Sequence, residues 1–225
     1  MIRRRLEVVC EELTVNMALA KLIELVVNTP DWILALKKER DLERVLQRMT
    51  RRFLEVDSIL KKQADKHPKL RGMGTTLTVV GTLGSDLVIG HIGDSRAYLY
   101  RDGNLKQLTN DHTLAQVLID SGVAAPNDPA TRSMRHVLTA ALGSMDERVE
   151  PQVYRMHLKR GDQILLCTDG LTEMLDDNTI ASVLEESDTA EKTCQTLIDL
   201  ALAAGGTDNV TVVLARFDSE SFSSV

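Results

Sequence analysis

Several absences in this sequence narrow what it can be. Three cysteines in 225 residues, Cys10, Cys167 and Cys194, are odd in number and far apart. That excludes a disulfide framework and a Cys-x-x-Cys zinc or redox site, and a reducing cytoplasm is the expected setting. No stretch approaches the ~18 apolar residues of a membrane helix. A basic run, Arg3 to Arg5, opens the chain, but Glu7, Glu11 and Glu12 interrupt any apolar segment behind it, so no signal peptide is expected. Internal repeats and low-complexity linkers are lacking too. There is no Gly-x-x-x-x-Gly-Lys-Ser/Thr loop, no His-Glu-x-x-His pair and no Gly-x-Ser-x-Gly elbow. The five histidines, His67, His91, His112, His136 and His157, show no ligand spacing and read as surface or internally satisfied side chains.

What is present is ample material for a core: 43% hydrophobic and 27% charged residues, which excludes disorder and fibrous repeats. The net charge of −6 hides an asymmetry. Residues 1–70 carry 15 Lys/Arg against 11 Asp/Glu, and residues 71–225 carry 12 against 22. An acidic domain repels phosphate backbones, so nucleic acid is not an expected partner, whereas cations are.

Apolar residues from Leu6 to Val27 recur at three- and four-residue spacing and predict a helix, broken at Thr29-Pro30-Asp31. A second helix is expected through Leu42, Val45, Leu46, Met49, Phe53, Val56, Ile59 and Leu60, ending at His67-Pro68. Short β-branched runs then predict strands over 75–80, 87–92 and 97–100, with Asp102-Gly103 turning the last into 105–108. The polar stretch 110–135, with Pro126, Pro129 and one helical patch over 112–121, reads as a surface flap. Strands over 152–157 and 163–167, helices over 177–186 and 189–203, and a strand over 210–217 complete the series, with a frayed tail at 218–225. This order lacks regular β-α alternation. The expected class is therefore α+β, an antiparallel β-sandwich flanked by helices, forming one domain over 1–217 with a helical part to residue 70.

Three aspartates each sit at an apolar strand end beside glycine: Asp94 in Ile92-Gly93-Asp94-Ser95-Arg96, Asp169 in Thr168-Asp169-Gly170, and Asp208 in Gly206-Thr207-Asp208-Asn209. Ends and starts of neighbouring antiparallel strands share a rim, so the three carboxylates are expected to converge there. Hard oxygen ligands select Mg²⁺ or Mn²⁺, and the glycines leave room for an ion with its waters. Two such ions activate a bridging water for in-line attack on a phosphoester. Each Asp alone is also an ordinary turn or cap residue. Arg96 is expected to pair with Asp94 as a structural ion pair.

At these residues the sequence resembles the metal-dependent PP2C (PPM) family of Ser/Thr protein phosphatases, bacterial branch. The matching segments are Gly72-Met73-Gly74-Thr75-Thr76, Gly93-Asp94-Ser95-Arg96, Leu108-Thr109-Asn110-Asp111-His112, Thr168-Asp169-Gly170-Leu171 and Gly206-Thr207-Asp208-Asn209. The resemblance implies a PP2C-like sandwich with a metal centre of two or three Mg²⁺ or Mn²⁺ ions at one end. It implies that Asp169 and Asp208 are ligands of the first metal, that Asp94 serves an additional, weaker site, and that Asn209 orders the Asp208 loop. Residues 111–135 would be the flap, and phosphorylated proteins, products of a Ser/Thr kinase, the substrates. No catalytic residue beyond the metal ligands is implied.

The resemblance departs at the start. Family members open with a phosphate-binding Arg and then an Asp-Gly-Met-Gly-Gly segment whose Asp bridges two metals. Here the corresponding residues read Met-Ile-Arg-Arg-Arg-Leu-Glu-Val-Val-Cys, and the helix over 11–28 resembles the one that follows that segment. The expectation is an N-terminally incomplete fold, whether by truncation, a misassigned start or degeneracy. Its second metal site would be impaired, its phosphoester hydrolysis slow or absent, and its sheet edge exposed. A non-catalytic binding or regulatory module of the same fold is the alternative.

Overall fold

The computed structural model describes residues 7–9, 40–67, 70–126, 128–144, 149–186 and 189–217. The expected first helix from residue 10 onward, its break at Thr29-Pro30-Asp31, Pro68, Arg3 to Arg5, Glu11, Glu12 and the tail 218–225 lie outside the described residues.

Two four-stranded antiparallel sheets form the centre. In the first, β1 (Glu7–Val9), β2 (Leu77–Leu83), β3 (Asp86–Ile92) and β6 (Gln152–His157) lie in that order. In the second, the order is β5 (Asn104–Gln107), β4 (Arg96–Arg101), β7 (Gln163–Cys167) and β8 (Val212–Arg216). Residues 7–9 depart from the helix expected from Leu6. They pair with β2, Glu7 opposite Val80 and Val9 opposite Thr78. Two consecutive valines suit an extended backbone, and the edge of β2 offers unpaired N–H and C=O groups to complete.

Both sheets are covered on both faces, and side chains alternate between them. On β3, Val88 and Ile92 face the helix side, while Leu87 and Ile89 meet Ala97, Leu99, Ile164 and Leu166 of the other sheet. On β4 and β7, Tyr98, Tyr100, Leu165 and Cys167 face outward onto the C-terminal helices. This double burial is why the strands read as continuous apolar runs.

Helix α1 (Arg40–Lys66) covers the first sheet. Its Val45, Met49, Phe53, Val56 and Leu60 fall on one stripe and are all buried. Buried Asp57, on the same helix, accepts the Gly143 N–H at 2.8 Å. Helices α4 (Asp177–Glu186) and α5 (Ala190–Ala203, capped by the Thr189 hydroxyl) cover the second sheet through Ile180, Leu184, Leu197 and Ala201.

The Asp102-Gly103 turn has φ of 51° and 78°, the doubly left-handed geometry that joins β4 to β5 without splaying them. The flap is a closed excursion. It holds α2 (Leu114–Asp120) and a 3-10 turn, Pro129–Met134, and its two ends are tied by Leu114 N–H to Val137 O at 2.8 Å and Thr139 N–H to His112 O at 2.8 Å. Its base therefore closes at residues 112 and 139, one residue inside the expected start at 111 and four beyond the expected end at 135.

Candidate metal centre

Register brings the strand-end aspartates to one rim. Cys167, ending β7, lies opposite both Arg96, which starts β4, and Val212, which starts β8. Asp94 immediately precedes the first of these strand starts, Asp169 follows Cys167, and Asp208 sits in the loop leading into β8. Together they line a single depression of about 250 Å³. Thr76, Ser95, Thr168, His136 and Leu138 complete its wall. Among the described residues no lysine or arginine lines it.

Each aspartate is held by its neighbours. Gly93 has φ 112° and lies so close to Thr76 that a Cβ would fall 2.3 Å from the threonine side chain, so only glycine permits the crossing from β3 to β4 that carries Asp94. The Thr76 and Ser95 hydroxyls are 3.3 Å apart beneath it. Thr168 bonds to the Asp208 loop three ways: its hydroxyl donates to Asn209 O at 3.1 Å and accepts the Thr211 N–H at 3.0 Å, and its N–H donates to Thr211 O at 3.1 Å. Asn209 donates its N–H to Asp208 Oδ1 at 2.6 Å. Gly170 is buried where α3 (Asp169–Thr172) begins.

Burial first, and then the Asp208 charge, push the Asp169 carboxyl above its ordinary range. A cluster of hard oxygen donors, with no lysine or arginine among the described residues lining the same depression, fits a divalent cation such as Mg²⁺ or Mn²⁺.

Other expected residues do different work. Arg96 is paired with Asp111, through Nε to Oδ1 at 2.9 Å and Nη2 to Oδ2 at 2.6 Å, where the sequence reading paired it with Asp94. Asp111 and His112 anchor the root of the flap. Gly93 N–H donates to His112 Nδ1 at 2.9 Å, and His112 N–H returns to Gly93 O at 2.7 Å.

Two groups were not legible as site residues. His136, at the closing end of the flap, lies with its Nδ1 2.9 Å from Glu173 Oε1. Glu173 follows α3 one turn after Asp169. Burial, and next the Asp169 charge, raise its carboxyl pKa, while His136 acts the other way. Asp169 and Glu173 stand at i, i+4, but α3 is only four residues long and carries no helical period that would have marked the spacing. His136 had no signal either, because its partners are remote in sequence.

Known proteins share this arrangement of chain. The protein phosphatase 2C family profile matches residues 7–203. The serine/threonine protein phosphatase PstP of Mycobacterium tuberculosis is 43% identical over 159 residues, 71% of this chain and 30% of that protein, so the match spans under a third of the relative's length. The protein phosphatase PhpP of Streptococcus pneumoniae is 35% identical over 169 residues, 75% of this chain and 68% of the relative. Among solved structures, the catalytic domain of PstP in complex with two manganese ions superposes with a TM-score of 0.77 at 34% identity, covering 94% of this chain and 87% of the other.

Proposed function

The chain belongs to the protein phosphatase 2C family, and from that premise we propose that it carries the metal-holding part of a hydrolase acting on phosphoserine and phosphothreonine in proteins. The observation that carries this reading is the convergence of Asp94, Asp169 and Asp208 on one depression that no lysine or arginine among the described residues lines. Asp169 and Asp208 hold the first ion from adjacent loops braced by Thr168, and Asp94 contributes to a further, weaker one. Bound Mg²⁺ or Mn²⁺ supplies an activated water and positive charge for the phosphoryl oxygens. The chain's own groups orient and enclose: Thr76 and Ser95 floor the site, and Leu138 and His136 bring the closing end of the flap against it. The overall change is a phosphomonoester plus water giving alcohol and phosphate, with no phosphoenzyme. Cys167, which ends β7 at this rim, is fully buried with its thiol pushed up to about 12, so it stays protonated and is no nucleophile.

Phosphorylated proteins made by a Ser/Thr kinase are the partners under this reading, in the cytoplasm. Among the described residues no helix is long and apolar enough to cross a membrane.

A second reading rests on a specific observation. No aspartate precedes Asp31, so the chain contains no Asp-Gly-Met-Gly-Gly segment to bridge two ions. On that basis the chain alone binds the second ion poorly and turns over slowly or not at all, and the alternative role is a binding or regulatory module. The deciding experiment is hydrolysis of a phosphoserine peptide with and without Mn²⁺, by this chain and by a version fitted with that segment. Mn²⁺-dependent turnover that Asp169→Asn abolishes supports the hydrolase. Turnover that survives Asp169→Asn sinks the metal assignment. A fitted, folded and metal-loaded chain that stays inactive favours the module.

A further inference from the structure

Asp169 and Glu173 stand four residues apart across the single turn of α3, with the Glu173 N–H donating to Asp169 O at 2.9 Å, so their carboxylates share a face. Against that face the end of the flap presents the half-exposed His136 ring. One ligand atom from each of His136, Asp169 and Glu173 can be chosen so that all lie within 4.8 Å of one another. A tetrahedral ion with bonds of about 2.0–2.1 Å needs its ligands roughly 3.4 Å apart. The His136–Glu173 pair, hydrogen-bonded at 2.9 Å, has to open by about half an ångström to admit the ion, and the third ligand comes in by similarly small side-chain rotations. Two carboxylates at such range repel unless a cation lies between them.

We propose that His136, Asp169 and Glu173 form a nitrogen-containing divalent-metal site that takes Zn²⁺-like ions in preference to Mg²⁺ and tethers the closing end of the flap to α3. The donor chemistry sets the preference: an imidazole with two carboxylates suits zinc and its neighbours, whereas Mg²⁺ takes oxygen and keeps its waters. The fourth position is open to water, since the His136 side chain is 56% exposed. This site rests on the hydrolase reading only in sharing Asp169. It needs neither Asp208 nor phosphoester chemistry.

The test is Zn²⁺ affinity of the full chain, measured by competition with a chromophoric chelator, with Cu²⁺ loading and electron paramagnetic resonance to detect nitrogen ligation. Losing an outer-sphere partner alone costs about 10–100-fold in affinity, so His136→Ala and Glu173→Gln are each expected to weaken Zn²⁺ at least tenfold. His136→Ala is expected to leave Mg²⁺ affinity within about twofold, and Asp208→Asn to leave Zn²⁺ affinity within about threefold. The Cu²⁺ spectrum should show nitrogen splitting that His136→Ala removes and His157→Ala retains. Unchanged Zn²⁺ affinity in His136→Ala, or splitting that survives it, overturns the site and leaves the hydrolase reading standing. The two readings separate in the other direction as well, because Zn²⁺ bound through His136 in a folded, Mn²⁺-loaded chain that stays inactive even when fitted with the Asp-Gly-Met-Gly-Gly segment supports the site and overturns the hydrolase.

Discussion

The Asn209 carbonyl lies directly over Gly170, so close that a Cβ at residue 170 would stand 2.4 Å from the oxygen and 3.0 Å from its carbon. The contact locks the Asp169 turn to the Asp208 loop through backbone on one side and the missing side chain on the other. Gly170→Ala therefore has to push the loops apart, since the obstacle is backbone and not the end of a flexible side chain. Forced overpacking of this kind costs about 1–3 kcal/mol. The expected result is a melting temperature lower by several degrees and a Mn²⁺ affinity reduced by more than the same substitution causes at an open glycine. Calorimetric titration of both variants checks this; equal Mn²⁺ affinities would show that the two loops are not coupled at Gly170.

A second glycine marks the seat of α1. A Cβ at Gly90 would meet Met49 Sδ at 2.6 Å and Phe53 Cε2 at 2.8 Å, so the helix rests on bare strand backbone. Gly81, on the adjacent strand β2, has nothing within 4 Å. Gly90→Ala is expected to destabilise by about 1–3 kcal/mol and Gly81→Ala to be near neutral, read as midpoints of urea unfolding. Equal effects would place α1 differently on the sheet.

How much of this was legible from the sequence depended on whether a pattern was local. The α1 stripe from Leu42 to Leu60 and the apolar runs of β3, β4 and β7 carry their own period or composition, and they fold as read. Residues 7–9 form too short a strand to show a period, and the helical spacing around them prevailed in the reading although β2 had an edge to fill. The turn α3 is four residues long, too short for periodicity, so the shared face of Asp169 and Glu173 went unseen. Convergence of Asp94, Asp169 and Asp208 followed from strand-end position alone. The approach of His136 depends on where the flap closes, through Leu114 and Val137, and no short-range signal encodes that.

Two buried groups make stability sensitive to acid in successive pH ranges. His91 stacks on His112 with ring centres 5.0 Å apart, its Nε2 donates to the Asn110 carbonyl at 3.1 Å and its Nδ1 accepts from the Thr78 hydroxyl at 2.9 Å. Burial, and then His112, push its pKa down to about 4. An unfolded histidine titrates near 6.5, so below that pH the unfolded chain takes up a proton that the folded chain refuses. Stability therefore falls as pH drops from about 6.5 to about 4, by up to roughly 3 kcal/mol, and this contribution then levels off. Asp162 behaves differently. Burial works to raise its pKa, but hydrogen bonds from Arg101 at 2.6 and 2.7 Å and from the Lys159 N–H at 2.7 Å hold it below the usual range. Its contribution is complete above the ordinary carboxylate pKa and is lost only as pH falls through the depressed value. Urea unfolding across pH 3–8 should show the two phases in sequence. Asp162→Asn is expected to cost about 3 kcal/mol at neutral pH and to remove the acid-most phase. A His91 ring proton that titrates near 6.5 by NMR would refute the first assignment.

The root of the flap depends on Arg96. Its guanidinium grips Asp111 with Nε and Nη2 and gives Nη1 to the Tyr98 hydroxyl at 2.9 Å, which donates on to Asp177 at the start of α4 at 3.2 Å. Burial opposes its charge, and the Asp111 hydrogen bonds more than offset that and keep it firmly protonated. Gln107 Nε2 donates to Asp111 Oδ1 at 2.8 Å, so the carboxylate is bound on several sides before the chain enters the flap. In a double-mutant cycle of Arg96→Met and Asp111→Asn, a half-buried bidentate pair of this kind should show a coupling of about 1–3 kcal/mol. Arg96→Lys keeps the charge but not the planar fork, so it should recover only a minor part of that coupling. Because His112 and Gly93 exchange hydrogen bonds one residue beyond this pair, losing the grip should also speed amide hydrogen exchange over residues 112–139 while α5 is unaffected. Full recovery by lysine would reduce the contact to simple charge neutralisation, and unchanged exchange in the flap would show that its base is held by the 112–139 ladder alone.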